Sequence, residues 1–195
     1  CEKPLAGTIA DARVIAQAVH ASEASFGMVF QYRFIPALMK ARELMQDGKL
    51  GRIFTFRAEY LHTGYQDSSR PLSWRTKKSE GGSGAIGDLG SHVIDLVRYL
   101  IGEFESVQGH LETFIAERPV RKGSSETGPV TVDDVAWIRA RMKSGAVGTV
   151  EASRLATGSL DDLHLWIYGE SGALRFDLMD PNFLYWFDGS HSDGD

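Results

Sequence analysis

Residues 132–155, VDDVAWIRARMKSGAVGTVEASRL, contain two strand-like stretches, one directly after the other. Similar stretches follow at 162–169, 173–178 and 182–187, and another precedes them at 104–116. Strands that follow one another with no helix between them favour antiparallel pairing, whereas parallel sheets alternate strands with helices. This succession predicts an open, mostly antiparallel β-sheet of six or seven strands.

An earlier stretch, RIFTFRAEYLH at 52–62, shows which part of the sheet is covered. Its apolar side chains alternate with polar ones, so Phe54, Phe56, Ala58 and Tyr60 lie on one side. A period of two is typical of a strand with one buried face. We therefore expect helices on one face of the sheet only.

The predicted helices are few. GTIADARVIAQAVHAS begins with Thr8 as N-cap, PALMKARELMQ begins at Pro36 and stops at Gly48, and the longest helix covers about residues 86–101 before Gly102. The apolar run at 26–31 is a candidate buried strand between the first two. The fold class is therefore α+β, in which a short α/β portion precedes the open sheet.

The other face of such a sheet would leave Trp137 and Trp166 partly exposed. An apolar sheet face of that size usually pairs with a copy of itself. We therefore expect a homo-oligomer that forms through this face. The segment at 117–131, rich in Gly, Pro, Ser and Thr, is expected to be a mobile loop.

Composition excludes several partners. The net charge of -5 gives no electrostatic footprint for nucleic acid, and no apolar stretch approaches the roughly 20 residues of a membrane span. The single cysteine, Cys1, cannot form an internal disulfide, which favours the cytoplasm. The chain begins with CEKPLAGT, which reads like the loop after an earlier strand and indicates a cut chain.

The segment SWRTKKSEGGSGAIGDLGSHVIDLVRYLIG, residues 73–102, carries the chemistry. At about 100 degrees per residue, Asp88, His92, Asp95 and Tyr99 fall within roughly 60 degrees on one helix face. An Asp one turn before a His can fix the imidazole tautomer and raise its basicity, as a general base requires. The alternative is a surface pair worth about 0.2–0.5 kcal/mol.

The glycines that crowd the start of this helix favour the functional interpretation, because backbone there must come close to something. Within them, GSGAIG at 82–87 matches a dinucleotide-binding pattern of three glycines. That pattern works only after an apolar strand, and RTKKSEG is not one. We therefore reject it as a nucleotide site.

Six short motifs, taken together and in order, resemble the glucose-fructose oxidoreductase / inositol dehydrogenase (Gfo/Idh/MocA) family of NAD(P)-dependent sugar and cyclitol dehydrogenases. They are EKPLA, YRFIPA, GKLGRI, WR, the Gly-rich Asp-x-x-x-His helix, and GESGALRF. The resemblance implies that residues 1–33 are the remnant of a Rossmann domain and that residues 34–195 form the substrate-binding and oligomerisation domain. Without most of the Rossmann domain, this chain alone is expected to be inactive and to bind NAD(H) poorly.

The resemblance also implies roles for individual residues. Lys3 would hydrogen-bond the reacting hydroxyl and stabilise alkoxide charge near the cofactor, and Pro4 would shape the turn there. His92 would accept the hydroxyl proton, and Asp88 would orient His92 or bind a neighbouring substrate hydroxyl. Hydride transfer from an alcohol needs such a base and such a donor. The cofactor would be NAD or NADP, and the substrate a sugar or polyol.

Further residues follow from the same resemblance. Trp74 and Arg75 match a WR element that contacts the cofactor in some family members, and Arg suits phosphate oxygens. Tyr32 and Arg33 are candidates to line the substrate cleft, although Arg33 could equally form a structural ion pair. Gln31 departs from the Asn that is frequent there in the family.

No metal site is predicted. His62, His110 and His164 lie on strand-like segments without metal-ligand spacing and are expected to be packed or surface side chains. Two alternatives to a dehydrogenase stay open: a ligand- or partner-binding module of the same fold without redox activity, and a glycoside-cleaving relative that uses NAD transiently.

Overall fold

A computed structural model describes residues 1–189 of the chain. It contains four α-helices: α1 (Ile9–His20), α2 (Pro36–Gln46), the single turn α3 (Lys78–Gly81) and α4 (Ser91–Ile101). A π-helical turn, Ile86–Gly90, leads directly into α4. Within residues 1–189, no helix is long and apolar enough to cross a membrane.

The described residues also contain nine strands, numbered here in chain order. They are β1 (Ile53–Leu61), β2 (Phe104–Glu112), β3 (Glu117–Pro119), β4 (Thr127–Pro129), β5 (Val135–Met142), β6 (Val147–Ser153), β7 (Asp162–Gly169), β8 (Gly172–Asp177) and β9 (Leu184–Asp188). Seven of them form one sheet in the order β2-β5-β6-β1-β7-β8-β9. Only β1 and β6 pair parallel, and every other pair in this sheet is antiparallel. The predicted fold class is confirmed.

One face of the sheet packs against α2 and α4. Phe56, Ile167 and Phe176 on this face are at most 3% exposed, and Leu38 of α2 and Val97 of α4 are fully buried against them. Burying a side chain of this size contributes about 1.5–3 kcal/mol relative to leaving it exposed. This core holds α4, and therefore Asp88 and His92, at a fixed place over the sheet.

The opposite, open face carries polar and aromatic side chains in rows across the strands. Arg57 on β1 lies beside Thr149 on β6 and Trp166 on β7, and the row continues to Arg139 on β5. Trp137 is 40% exposed on this face, and Trp166 is half-buried. The open face is thus amphipathic.

Two expectations about local structure were wrong, and a third segment contains strands that were not predicted. Residues 26–31 form no strand: Gly27 and Val29 share main-chain hydrogen bonds only with Cys1 among the described residues, and the Phe30 carbonyl already accepts one from Arg33 in the turn that begins at Gln31. Phe54 is 43% exposed, because the pairing register shifts between Ile53 and Thr55. The segment at 117–131, expected to be a mobile loop, contains the short β3–β4 hairpin, and its mobility stays a prediction.

Several predictions about the helices are confirmed. Thr8 caps α1 by accepting a hydrogen bond from the Asp11 amide at 3.1 Å, and Gly102 ends α4 at a φ of 113°. Val93, Leu96, Val97 and Leu100 are buried on one face of α4, and their spacing is that of a helix with one apolar face. The π-helical turn at 86–90 was not predicted, because a single wide turn leaves no clear periodicity in the sequence.

Candidate active site

The start of the Ile86–Gly90 turn is held by Asp133, a buried residue just before β5. The Asp133 carboxylate accepts hydrogen bonds from the Gly84 amide at 2.8 Å and the Ile86 amide at 2.7 Å, and its carbonyl accepts one from Ala85. A carboxylate at the start of a helix satisfies free amides and suits the helix dipole. Asp133 therefore fixes the turn that presents Asp88.

Asp88 lies between two cations. The Lys3 ammonium donates to the Asp88 carbonyl oxygen at 2.6 Å and to Oδ1 at 3.1 Å, while Arg154 Nη2 donates to Oδ2 at 3.0 Å. Burial pushes the pKa of Asp88 upward, but the Arg154 and Lys3 charges outweigh it and hold that pKa below its usual value. Asp88 is therefore an ionised carboxylate at neutral pH.

His92 lies one turn further along, in an aromatic pocket. Its ring centroid is 4.8 Å from that of Tyr32 and 6.1 Å from that of Tyr60, and only 5% of the residue is exposed. Burial, helped by the nearby Lys3 charge, lowers the pKa of His92 to about 4 despite the acidic groups of Asp88 and Asp95. His92 is therefore neutral near pH 7.

Two features of the Asp88–His92 pair differ from the sequence-based expectation. The Asp88 carboxylate is bound by Lys3 and Arg154, and His92 Nδ1 is buried without a hydrogen-bond partner, so Asp88 does not orient the ring. The basicity of His92 is lowered, because burial and the Lys3 charge dominate. Asp88 instead binds Lys3.

A chain of hydroxyl groups runs past the His92 ring. Tyr32 and Tyr60 share a hydrogen bond between their hydroxyl oxygens at 2.7 Å, and the Tyr60 hydroxyl donates to Asp161 Oδ1 at 2.6 Å. Burial raises the pKa of Tyr60, and its bond to Asp161 adds to the shift. Burial likewise raises the pKa of Tyr32. Both phenols are therefore protonated, and Tyr32 directs its ring at His92.

A cavity of about 300 Å³ opens beside Lys3 and Pro4, whose peptide bond is cis. Trp74, Arg75, Asp88 and Arg154 also line it. Trp74 is 52% exposed, and the Arg75 guanidinium carbon lies 4.4 Å from the centre of the Trp74 ring. The cavity thus combines an exposed aromatic surface with cations and a carboxylate.

The family model described as the GFO/IDH/MocA C-terminal domain matches residues 38–175, which is most of the chain. The chain belongs to the GFO/IDH/MocA family. The sequence-based resemblance is thereby confirmed, and the open sheet with its covering helices is the family's C-terminal domain.

Several GFO/IDH/MocA relatives are named proteins. Levoglucosan dehydrogenase from Pseudarthrobacter phenanthrenivorans is 41% identical over 187 residues, which cover 90% of this chain and 48% of that protein. D-xylose dehydrogenase from Paenarthrobacter nicotinovorans is 30% identical over 70% of this chain and 35% of that protein. This chain therefore spans about half the length of the levoglucosan dehydrogenase.

Solved structures agree with the fold. Levoglucosan dehydrogenase in complex with NADH and L-sorbose superposes with a TM-score of 0.95 at 40% identity, over 99% of this chain and 51% of that chain. An oxidoreductase domain protein from Kribbella flavida gives a TM-score of 0.92 at 43% identity, over 98% of this chain and 51% of that chain.

In this GFO/IDH/MocA chain, the candidate residues fall into two neighbouring groups. Lys3, Asp88, Trp74 and Arg75 line the cavity, whereas His92 and Tyr32 form the aromatic pocket and are not part of the cavity lining. Arg33 binds Asp95 through Nε at 2.7 Å and through Nη2, so two of its donors are used in an ion pair. The hydrogen bond to Asp95 raises the pKa of Arg33.

The three remaining histidines of the prediction lie apart from this GFO/IDH/MocA site. His164 bridges Glu59 at 3.1 Å and Asp177 at 3.3 Å, and the His110 ring stacks on Trp137 with the ring centroids 6.0 Å apart. His62 accepts a hydrogen bond at Nδ1 from the Gly64 amide at 2.7 Å. In residues 1–189 no group of three or more His, Cys, Asp or Glu side chains is placed to hold a metal ion.

Sequence reasoning missed Arg154, Tyr60, Asp161 and Asp133. Arg154 follows β6 and Asp133 precedes β5, at strand ends where a polar residue is common and carries no signal by itself. The best available signal was the pair of adjacent Asp residues in VDDV, because two carboxylates between apolar residues at the start of a strand are unusual.

Proposed function

We propose that this chain is the substrate-binding part of an NAD(P)-dependent oxidoreductase that transfers a hydride between a sugar or cyclitol hydroxyl and a nicotinamide cofactor. The observation that carries the proposal is the convergence of Lys3, Asp88 and His92 in a GFO/IDH/MocA chain. An ammonium and a carboxylate that line the cavity, with a neutral imidazole one helical turn after that carboxylate, are the groups that alcohol oxidation needs.

The cavity beside Lys3 fits one end of a nicotinamide nucleotide. Its volume of about 300 Å³ lies at the lower limit of small-molecule sites, so it suits one ring with part of a sugar and not a whole dinucleotide. Trp74 offers a flat apolar surface, and Arg75 offers a cation for phosphate oxygens. Lys3, Pro4, Trp74 and Arg75 would hold the group, which supplies the hydride acceptor or donor when bound. Choice between NAD and NADP belongs to residues outside this chain.

Lys3 would act on the substrate oxygen. An ammonium has three N–H donors, and the Asp88 carbonyl and carboxylate use two of them. The third has no partner among the described residues and can donate to the reacting hydroxyl. This donation makes the hydroxyl more acidic and stabilises the alkoxide as the carbon loses hydride.

His92 would accept the hydroxyl proton. The ring is neutral, and because Nδ1 is closed off from solvent, Nε2 is the nitrogen left for a substrate. A base with a pKa near 4 accepts a proton weakly at pH 7. The acidifying effect of Lys3 on the hydroxyl is therefore part of the same step, and a carbonyl product remains when the proton and hydride have left.

The relatives support a sugar substrate. They include dehydrogenases of levoglucosan, D-xylose and D-apiose, and levoglucosan dehydrogenase has been solved with NADH and levoglucosan. The proposal assigns residues 1–33 to the edge of a nucleotide-binding domain and residues 34–195 to the substrate domain, of which 190–195 lie outside the described residues. The absence of buried residues in α1 supports this division. The proposed location is the cytoplasm.

The test uses a longer protein that contains this chain, assayed for NADH or NADPH formation with levoglucosan, D-xylose, D-apiose and myo-inositol. We expect turnover of at least one of them, and a loss of about 10²–10⁴-fold in kcat for Lys3→Met and for His92→Gln. Lys40→Met is the matched control, since Lys40 forms only an exposed pair with Glu43. Normal turnover in folded Lys3→Met and His92→Gln proteins would refute the roles given to these residues. No turnover of any sugar by the folded wild-type protein would instead support a binding module, and hydrolysis without net NADH would support a glycoside-cleaving enzyme.

The 195-residue chain provides a second test. Calorimetry should detect no NADH binding at micromolar affinity, and no dehydrogenase activity should be measurable. Micromolar NADH binding or measurable dehydrogenase activity would contradict the assignment of the main nucleotide site to another part of the protein.

We also propose that copies of the chain associate through the open sheet face. Large apolar side chains are exposed there on several strands, including Trp137 (40%), Tyr168 (49%) and Tyr185 (54%). Faces of this kind usually mark an interface. Sedimentation at micromolar concentration should show an oligomer that Trp137→Asp weakens, whereas Val14→Asp on exposed α1 should leave it intact. A wild-type monomer would refute this interface.

A further inference from the structure

Arg154 contacts two separate parts of the candidate site. The residue is 3% exposed and lies directly after β6. Its Nη2 donates to Asp88 Oδ2 at 3.0 Å, and its Nη1 donates to the Arg75 carbonyl oxygen at 3.2 Å. One guanidinium therefore joins the carboxylate that binds Lys3 to the segment that carries Trp74 and Arg75.

The guanidinium is itself held in place by Tyr65. The Arg154 Cζ atom lies 4.6 Å from the centre of the Tyr65 ring, and the Tyr65 amide donates to the Arg154 carbonyl oxygen at 3.1 Å. Arg118, only 1% exposed, fixes the Tyr65 loop from behind by donating to the carbonyls of Tyr65 at 2.5 Å and Asp67 at 2.7 Å. Arg154 thus has little freedom to move.

We propose that Arg154 is a positioning residue that holds Asp88 in one orientation and through it directs Lys3 toward the substrate. The proposal deepens the proposed function and rests on it. A carboxylate bound only by a flexible lysine can rotate about its side-chain torsions. When Arg154 takes Oδ2, Oδ1 and the main-chain carbonyl are left in fixed positions, and they fix the Lys3 ammonium.

Electrostatics gives Arg154 a second effect on the same groups. Asp88 faces the charges of Arg154 and Lys3 and the imidazole of His92, and Arg75 lines the same cavity. Removing the Arg154 cation takes away one of the two charges that lower the pKa of Asp88, so that pKa should rise. Lys3 should then be paired less firmly in mildly acidic solution.

The first experiment measures turnover in the longer protein with the sugar that it oxidises. In Arg154→Met we expect kcat to fall about 10- to 100-fold with a smaller change in KM, because misplacing a catalytic group affects the transition state most. The acid limb of the pH profile should move to higher pH. Arg154→Lys, which restores the charge but not the planar bridge, should recover part of kcat.

Arg70→Met is the matched control. The Arg70 Cζ atom lies 4.1 Å from the centre of the same Tyr65 ring, but Arg70 has no contact with Asp88. Its removal should leave kcat and the pH profile within about twofold of the wild type. Equal losses in Arg70→Met and Arg154→Met would overturn the proposal in favour of a structural role around Tyr65.

A second measurement does not depend on enzyme activity. The Asp88 carboxyl signal, assigned with Asp88→Asn, is followed by carbon-13 NMR during an acid titration of the 195-residue chain. Its midpoint should move upward in Arg154→Met, return most of the way in Arg154→Lys and stay in place in Arg70→Met. An unchanged midpoint in folded Arg154→Met would overturn the proposal. A shifted midpoint in a protein without dehydrogenase activity would instead support the Arg154–Asp88 coupling and refute the proposed function.

Discussion

Gly84→Ala should destabilise the protein strongly because of one close approach. A Cβ atom at residue 84 would lie 1.8 Å from the Asp133 carbonyl oxygen, and atoms of this kind do not approach within 3.0 Å. The two segments must therefore separate by at least 3.0 − 1.8 = 1.2 Å. That movement stretches the bonds from Gly84 and Ile86 to the Asp133 carboxylate, which are 2.8 and 2.7 Å long.

The expected cost follows from these two effects. Overpacking costs about 1–3 kcal/mol, and the loss of a hydrogen bond to a charged group costs about 1.5–3 kcal/mol, so the free energy of unfolding should fall by about 2.5–6 kcal/mol. Urea unfolding followed by tryptophan fluorescence measures this change. The turn at 86–90 carries Asp88, so the proposed sugar oxidation in the longer protein should fall as well.

Gly27→Ala is the control for this prediction, because a Cβ atom there would meet nothing within 4 Å. Its effect should stay within about 1 kcal/mol, as for glycines without steric demands. If Gly84→Ala also changed the free energy of unfolding by less than about 1 kcal/mol, Asp133 would not be the fixed support of the active-site turn.

Two further predictions concern buried side chains that can ionise. The folded-state pKa of His92 is about 4 against an ordinary value of 6.5, so the unfolded chain binds the extra proton first, and the stability that neutral His92 contributes above pH 6.5 is lost as the pH falls toward 4. Proton NMR should show a His92 midpoint near pH 4, and the stability difference between wild type and His92→Gln should change between pH 6.5 and 4. A midpoint near 6.5 would refute the burial argument. Arg33→Met leaves the 6%-exposed Asp95 side chain without its ion-pair partner and should lower the free energy of unfolding in urea by about 3 kcal/mol. This is the lower end for a buried pair, because the Arg33 side chain is 40% exposed. The matched Arg98→Met, at an exposed pair with Glu103, should cost less than about 1 kcal/mol, and equal costs would contradict the buried character of the Arg33–Asp95 pair.

The sequence predicted the sheet and α4 well because their signals are local. Alternation over residues 56–60 and the spacing of Val93, Leu96, Val97 and Leu100 report directly which face is buried. The strand predicted at 26–31 was wrong because an apolar run shows burial or β-propensity and gives no information about whether a partner strand exists. Phe54 was misplaced because a register shift is set by the neighbouring strand.

The site was predictable only in part. The combination of Lys3 with His92 came from the family resemblance, since no periodicity connects them. Arg154 meets Asp88 across 66 positions of sequence, and Tyr60 meets Asp161 across 101, so the sequence pattern has no means to pair them. The direction of the His92 pKa shift was missed because it depends on the burial that these distant contacts create.

The central place of β1 in the sheet affects how the chain acquires its structure. Both neighbours of β1 come from residues 147–169, and hence are made long after it during synthesis on the ribosome. Until then both edges of an apolar strand remain unpaired, which is the condition that favours aggregation. Pairing across so much intervening chain also slows folding, so this fold should refold slowly and should benefit from chaperones that shield β1 until its neighbours arrive.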